Sequence, residues 1–309
     1  MPLFDVYFAV DWSARGTASP KTPTYDALWV GERLACGAED DSIAGETYWR
    51  TRHECVAYIR ERLLHHGAAA RRVLVGFDFG FGYPAGFADA LGLVGDAPPW
   101  RRIWDMLASM IVDKADNTNN RFAVAAELNA RCGGAVPGPL WGCPVGMTLP
   151  LLLPTSPVYP YIVRPGLALQ RLRAMDRRER GLQPAWKLYG TASVGGQILV
   201  GIPYVRQLRG DPALAAISRV WPFETGFSSA PAPDRGPFIL FVEIWPGIVA
   251  HLLDPTVTIR DQAQVRAVAQ WFADLDAAGR FGALFALAGD LSPEVVEMCV
   301  LEEGWVLGG

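Results

Sequence analysis

Val73-Leu74-Val75-Gly76-Phe77-Asp78-Phe79-Gly80-Phe81-Gly82-Tyr83-Pro84 decides the fold: an apolar run, an acid, then a loop of glycines and aromatics. An apolar run of this length suits a strand buried on both faces. An acid at its carboxyl end cannot be core filler, because an unpaired buried charge is strongly unfavourable. The same grammar recurs upstream and downstream. Val6-Tyr7-Phe8-Ala9-Val10 ends at Asp11, and Phe238-Ile239-Leu240-Phe241-Val242 ends at Glu243. Asp261 opens a helix-like segment soon afterwards. If the strands are neighbours, these acids converge on one sheet edge, and oxygen clusters of that kind suit hard divalent cations such as Mg2+ or Mn2+ acting on phosphate.

Working outward, residues 5–11 read as a first strand and 26–30 as a second. The spacing of Trp49, Val56, Ile59 and Leu63 predicts a helix over 47–66, ended by Gly67. Strand, strand, helix, strand is α/β order, with connections long enough for parallel pairing. From about 85 to 235 the chain changes character. Helical patches at 100–113, 121–131 and 167–180 alternate with a Pro-rich stretch (137–165) and a Gly-rich bend (190–201). Neither end carries a flexible linker, so 85–235 reads as an insertion subdomain within a single domain spanning 1–309. The strand 237–243, a helix near 261–278 and a last apolar segment at 281–288 close the chain.

Half of the 309 residues are hydrophobic and 19% are charged, which supports a sizeable core. A net charge of -4 argues against coating nucleic acid by bulk electrostatics. Five scattered cysteines (36, 55, 132, 143, 299) with no CxxC pair fit reduced thiols in a cytoplasmic protein, without a zinc site or disulfide framework. The first residues lack a basic n-region, and no uncharged apolar stretch approaches membrane-spanning length. The sequence sets no oligomeric state.

Each strand-end acid has a second reading. Asp11 can cap a turn, Asp78 can mark a strand-to-turn junction, Glu243 can pair with an Arg, and Asp261 can serve the first turn of its helix. A second constellation is basic: between Arg164 and Arg209 nine basic residues face two acids, Asp176 and Glu179, a local excess of seven. Such a segment in an acidic chain suits an anionic substrate, or a solvated helix face. Lys187 precedes a Gly/Ser/Thr run through Ser193 to Gln197 that could supply phosphate-binding amides, although it lacks P-loop order. Ser13 lies in the polar loop after Asp11. Asn120 and Arg121 end an amide-dense run that can cap a helix or contact a base or sugar. The four histidines show no ligand spacing, and no GxSxG elbow is present.

Val10-Asp11-Trp12-Ser13-Ala14, Gly76-Phe77-Asp78-Phe79-Gly80-Phe81-Gly82-Tyr83-Pro84, Glu243-Ile244-Trp245-Pro246 and the closing Glu303-Gly304-Trp305-Val306-Leu307-Gly308 together resemble the DUF429-like predicted nucleases of the ribonuclease H-like superfamily. Asn119-Asn120-Arg121-Phe122, Lys187-Leu188-Tyr189-Gly190, Ser193-Val194-Gly195 and Trp221-Pro222-Phe223-Glu224-Thr225 extend the likeness to uncharacterised bacterial proteins. The resemblance implies a ribonuclease H-like mixed central sheet flanked by helices, with 85–235 outside the common core. It also implies Asp11, Asp78 and Glu243 as ligands of one or two Mg2+ or Mn2+ ions, with Asp261 as the helix acid.

The expected function is a metal-dependent phosphodiester hydrolase, in which metals activate water and stabilise the leaving oxygen of a nucleic acid or nucleotide. Ser13, Lys187, Ser193, Asn120 and Arg121 are its expected substrate-binding residues. The alternative is a nucleotide-binding or phosphoryl-transfer protein of the actin-like or sugar-kinase kind, with phosphates cradled by the loops after Asp11 and Asp78. A nucleotide-binding protein without turnover is the third reading.

Overall fold

Thr51 sets the start of the first helix. Its hydroxyl accepts from the Glu54 amide at 3.2 Å, and the Glu54 carboxylate accepts from the Thr51 amide at 3.1 Å. This capping box places α1 at Arg52–Ala68. The preceding residues, expected to be helical, instead form strand β3 (Glu46–Trp49). Trp49 mimics a helical register because it stacks on Tyr58 across the junction, with ring centroids 4.8 Å apart.

The computed structural model describes residues 2–35, 45–133, 136–147, 149–287, 289 and 291–309. Cys36 and the end of the expected 281–288 segment lie outside them. A mixed six-stranded sheet forms the centre, in the order β3-β2-β1-β4-β8-β7. Strands β1 (Val6–Asp11), β2 (Leu28–Leu34) and β3 are antiparallel neighbours. Strands β4 (Arg72–Phe77), β8 (Phe238–Glu243) and the edge strand β7 (Ser218–Val220) continue parallel to β1.

The apolar runs alternate between two cores, as strands covered on both faces must. Val6, Phe8, Val10, Val75, Phe77 and Phe241 face one core, while Tyr7, Ala9, Leu74, Leu240 and Val242 face the other. Helix α7 (Arg260–Ala277) covers the second face. Gly31 of β2 permits its approach, since a Cβ there would stand 2.6 Å from the Val265 carbonyl oxygen. The helix runs antiparallel to β1. Asp261 in its first turn accepts from the Asp26 amide, whereas Asp276 in its last accepts from the Leu3 and Phe4 amides and the Tyr7 hydroxyl.

The other face carries α1 and most of the segment between β4 and β8. That segment supplies α2 (Phe87–Ala90), α3 (Pro99–Met110), α4 (Arg121–Gly133), a hairpin of β5 (Tyr161–Arg164) and β6 (Leu167–Leu169), α5 (Ala174–Arg178) and α6 (Gly195–Arg209). Most of its apolar side chains join the core beneath the sheet, whereas Ala174 and Met175 of α5 and Trp221 pack in the core on the α7 face, and β7 pairs with β8. Two expectations change here. The 167–180 patch is the end of a hairpin plus one short helix, and the glycines of the expected 190–201 bend open α6. Gly195 and Gly196 sit where a Cβ would press within 2.4 Å of the Ala185 oxygen and 2.7 Å of the Leu188 oxygen. Glycine serves helix packing there, and not a turn.

The chain closes through α8 (Pro293–Met298) and a π-turn, Cys299–Glu303. The Glu302 carboxylate accepts from the Gly86 and Ala88 amides, and Glu303 accepts from the Ala85 and Ala174 amides. These buried acids cap the short helices α2 and α5 and bind the segment between β4 and β8 to the π-turn.

Candidate functional site

Parallel pairing of β1 with β4 sets Val10 beside Phe77, so Asp11 and Asp78 leave the sheet at the same edge. The Asp78 amide donates to the Val10 carbonyl at 3.1 Å, and the Trp12 amide donates to Asp78 Oδ1 at 2.7 Å. Antiparallel pairing opposes Asp11 with Trp29, which brings the turn before β2 to the same place. Asp26 occupies that turn with a left-handed φ of 51°, a conformation Asp tolerates better than most residues. Its amide donates to Asp261 Oδ2 at 2.6 Å. Four acids therefore meet at one edge.

Their electrostatics record the crowding. Burial, then the charges of Asp78, Asp261 and Asp26, hold the Asp11 carboxyl well above the usual range. Burial pushes Asp78 up to about 7; the Trp12 amide opposes this and the Asp261 charge adds to it. Burial also raises Asp261, against the Asp26 amide and with the Asp26 charge. Among the described residues no basic side chain pairs with Asp11 or Asp78. Nor do any three His, Cys, Asp or Glu side chains among them stand as a ready metal cage.

Glu243 differs from its expected place. It borders the cavity of about 200 Å³ that Asp78 also lines. Both its oxygens are nevertheless engaged by Arg173, at 2.7 and 2.6 Å, and the Phe81 amide donates to one of them at 3.0 Å. Arg173 also donates to Asp176 at 2.9 Å and to the Glu303 carbonyl at 3.1 Å. A buried carboxylate with a bidentate guanidinium partner is already neutralised, whereas Asp26 and Asp261 stand with Asp11 and Asp78.

The expected substrate residues also divide. Ser193 borders the cavity beside Asp78 and a second one of about 560 Å³, which Arg15, Gly16, Asp26, Arg121, Tyr189 and Gln197 also line. Gln197 lies between the two cavities and donates its side-chain amide to the Trp12 carbonyl. Lys187 turns away: its ammonium donates to the Thr191 carbonyl and lies 5.6 Å from the Trp141 ring centroid, a local acceptor and π-face that satisfy it. The Asn120 side chain accepts from the Val112 amide and donates to the Met110 carbonyl, tying α3 to α4. The Ser13 hydroxyl donates to the Asp26 carbonyl at 3.2 Å and accepts from the Arg15 amide, so it shapes the loop.

Much of the basic excess between 164 and 209 is neutralised from outside that segment. Arg164 pairs with Asp89, Arg206 with Asp105, Arg209 with Glu224 and Arg173 with Glu243. Arg52, fully buried, fixes the loop after β1 by donating to the Ser13 and Arg15 carbonyls while pairing with Asp113 at 2.6 Å. Sequence reasoning missed Asp26 and the Gln197 side chain, and the loop holding Arg15 entered it only as a phosphate cradle in the phosphoryl-transfer alternative. Asp26 alone had a signal, as the acid just before the strand antiparallel to β1. No family model, curated protein or solved structure gives a significant match to the chain.

Proposed function

We propose that the chain is a metal-dependent phosphodiesterase of the nuclease kind, with Asp11, Asp78 and Asp261 as its cation-holding acids. The observation that carries this reading is the raised, unpaired Asp11–Asp78 couple at the ends of two adjacent parallel strands. Carboxylates crowded in a poorly solvated site repel one another, and a hard cation relieves that repulsion. Mg2+ is commonly held by one or two carboxylates together with water and substrate phosphate, so a complete protein cage is not required. When bound, such a cation supplies Lewis acidity toward a phosphoryl oxygen and acidifies a coordinated water.

The chain's own residues hold the acids in place. The Trp12 amide orients Asp78, the Asp26 amide orients Asp261, and Arg52 stiffens the loop that follows Asp11. The resemblance to DUF429-like predicted nucleases supports a metal site at Asp11 and Asp78, although it implies Glu243 as the third ligand and Asp261 as the helix acid. With Glu243 given to Arg173, the helix acid Asp261 takes the third position.

Thermal denaturation with and without Mn2+, together with cleavage of labelled single- and double-stranded DNA and RNA, tests the proposal. Wild-type protein should gain stability with Mn2+ and cleave at least one of these polymers only when metal is present. Asp78→Asn should remove the Mn2+ stabilisation and lower turnover by at least about 100-fold, with an unchanged circular dichroism spectrum. Wild-type protein indifferent to Mn2+, or a variant that keeps both properties, would overturn it.

A further inference from the structure

The cavity of about 560 Å³ beside the acidic edge has features that the acids do not explain. Arg121 on its wall is only 9% exposed, and its Nε has no hydrogen-bond partner. Its Nη1 donates to Asn119 Oδ1 at 2.9 Å, and its guanidinium lies 4.4 Å from the Phe122 ring centroid. An unmatched buried guanidinium is costly, and with Nε shielded it is the remaining guanidinium donors on the cavity wall that an entering anion would engage.

The same wall carries the N-terminus of α6, a fifteen-residue helix that no side chain caps. Among the described residues the Gly196 and Gln197 amides in its first turn meet no acceptor. Gly196 lies directly beside Arg121, since a Cβ there would stand in ordinary contact at 3.5 Å from Nε. Arg15 adds a second cation, and Tyr189, 48% exposed, offers an aromatic face at the rim. Asp26 closes the side nearest Asp11 and Asp261.

We propose that this cavity is a nucleotide subsite: it takes a phosphate between Arg121, Arg15 and the first turn of α6, with the attached base against Tyr189. Buried guanidinium and helix N-terminal amides are a recurrent oxyanion pair, and an exposed tyrosine stacks any base without regard to sequence. The inference rests on the phosphodiesterase reading and gives it a substrate class, a nucleotide chain with one unit lodged next to the acids.

Titration calorimetry of the full chain in EDTA, with adenosine 5′-monophosphate, inorganic phosphate and adenosine as separate ligands, tests it. Adenosine 5′-monophosphate should bind more tightly than either part alone. Arg121→Gln and Arg15→Ala should each weaken it by roughly tenfold. Tyr189→Ala should weaken the nucleotide by about fivefold and leave inorganic phosphate unchanged. Should Arg121→Gln fail to fold, Arg15→Ala carries the test, because Arg15 lies in a surface loop.

Wild-type protein that ignores both phosphate ligands, or variants at both arginines that bind like wild type, would overturn the subsite. Equal affinity for phosphate and nucleotide would overturn the base contact. With metal chelated throughout, these results are independent of whether the acids bind a cation, so the two readings fail separately.

Discussion

Asp78 keeps its proton in the folded protein up to about pH 7, whereas an ordinary aspartate releases it near 3.8. The folded state therefore binds more protons than the unfolded chain between those values. This contribution to stability is complete below the lower value and is lost as pH rises through the upper one. Metal-free protein should accordingly be more stable at pH 5 than at pH 8. Asp78→Asn should lessen that dependence, leaving the part due to Asp11 and Asp261, and add about 1–2 kcal/mol at pH 8, a figure reduced for the carboxyl's partial contact with water. Urea denaturation in chelator at the two pH values gives the comparison, and an identical pH slope in the variant would remove Asp78 as its source. Asp11 and Asp78 were legible in the sequence because five apolar residues lead straight into each. Pairing of Glu243 with an Arg was one of its two readings, but which Arg was not legible, since Arg173 lies 70 residues away and nothing local distinguishes it from neighbouring arginines.

Among the elements, β1, β4, β8 and α7 follow directly from hydrophobic runs and period, and they carry Asp11, Asp78 and Asp261. Strand β3 was hidden because its four residues are all half-buried and therefore show no alternation. Helix α6 was hidden because glycine is a poor helix former, and its need at 195 and 196 arises only once the 185–188 backbone packs against it. Gly31 plays the corresponding part for α7. Gly31→Ala should push the helix off β2 at Val265 and cost about 1–3 kcal/mol. The displaced Asp261 should also reduce the stabilisation by Mn2+. Urea midpoints with and without Mn2+ measure both effects, and a variant as stable as wild type would show that the contact yields freely.

Across the whole molecule, the α/β class was legible, but the way the 85–235 segment joins the rest was not, since it includes the edge strand β7 of the central sheet. Arg173 lies within the insertion, yet it reaches Glu243 at the end of β8 and the Glu303 carbonyl in the π-turn. Glu243→Gln would leave that guanidinium buried with Asp176 as its remaining carboxylate partner. It should destabilise the protein by about 2–4 kcal/mol while preserving the rise in melting temperature with Mn2+. If stability held and the Mn2+ response vanished, Glu243 would belong with the cation-holding acids.

The π-turn also bears on the order of events during synthesis. Strands β1 to β4 and the whole insertion leave the ribosome before residues 302–307 exist, yet α2 and α5 receive their caps from Glu302 and Glu303, and Leu307 donates its amide to the Glu243 carbonyl. A nascent chain can pair its first four strands early. The cavity beside Asp78 is walled by Arg173, whose guanidinium donates to the Glu303 carbonyl, so that wall settles only after the π-turn has been made.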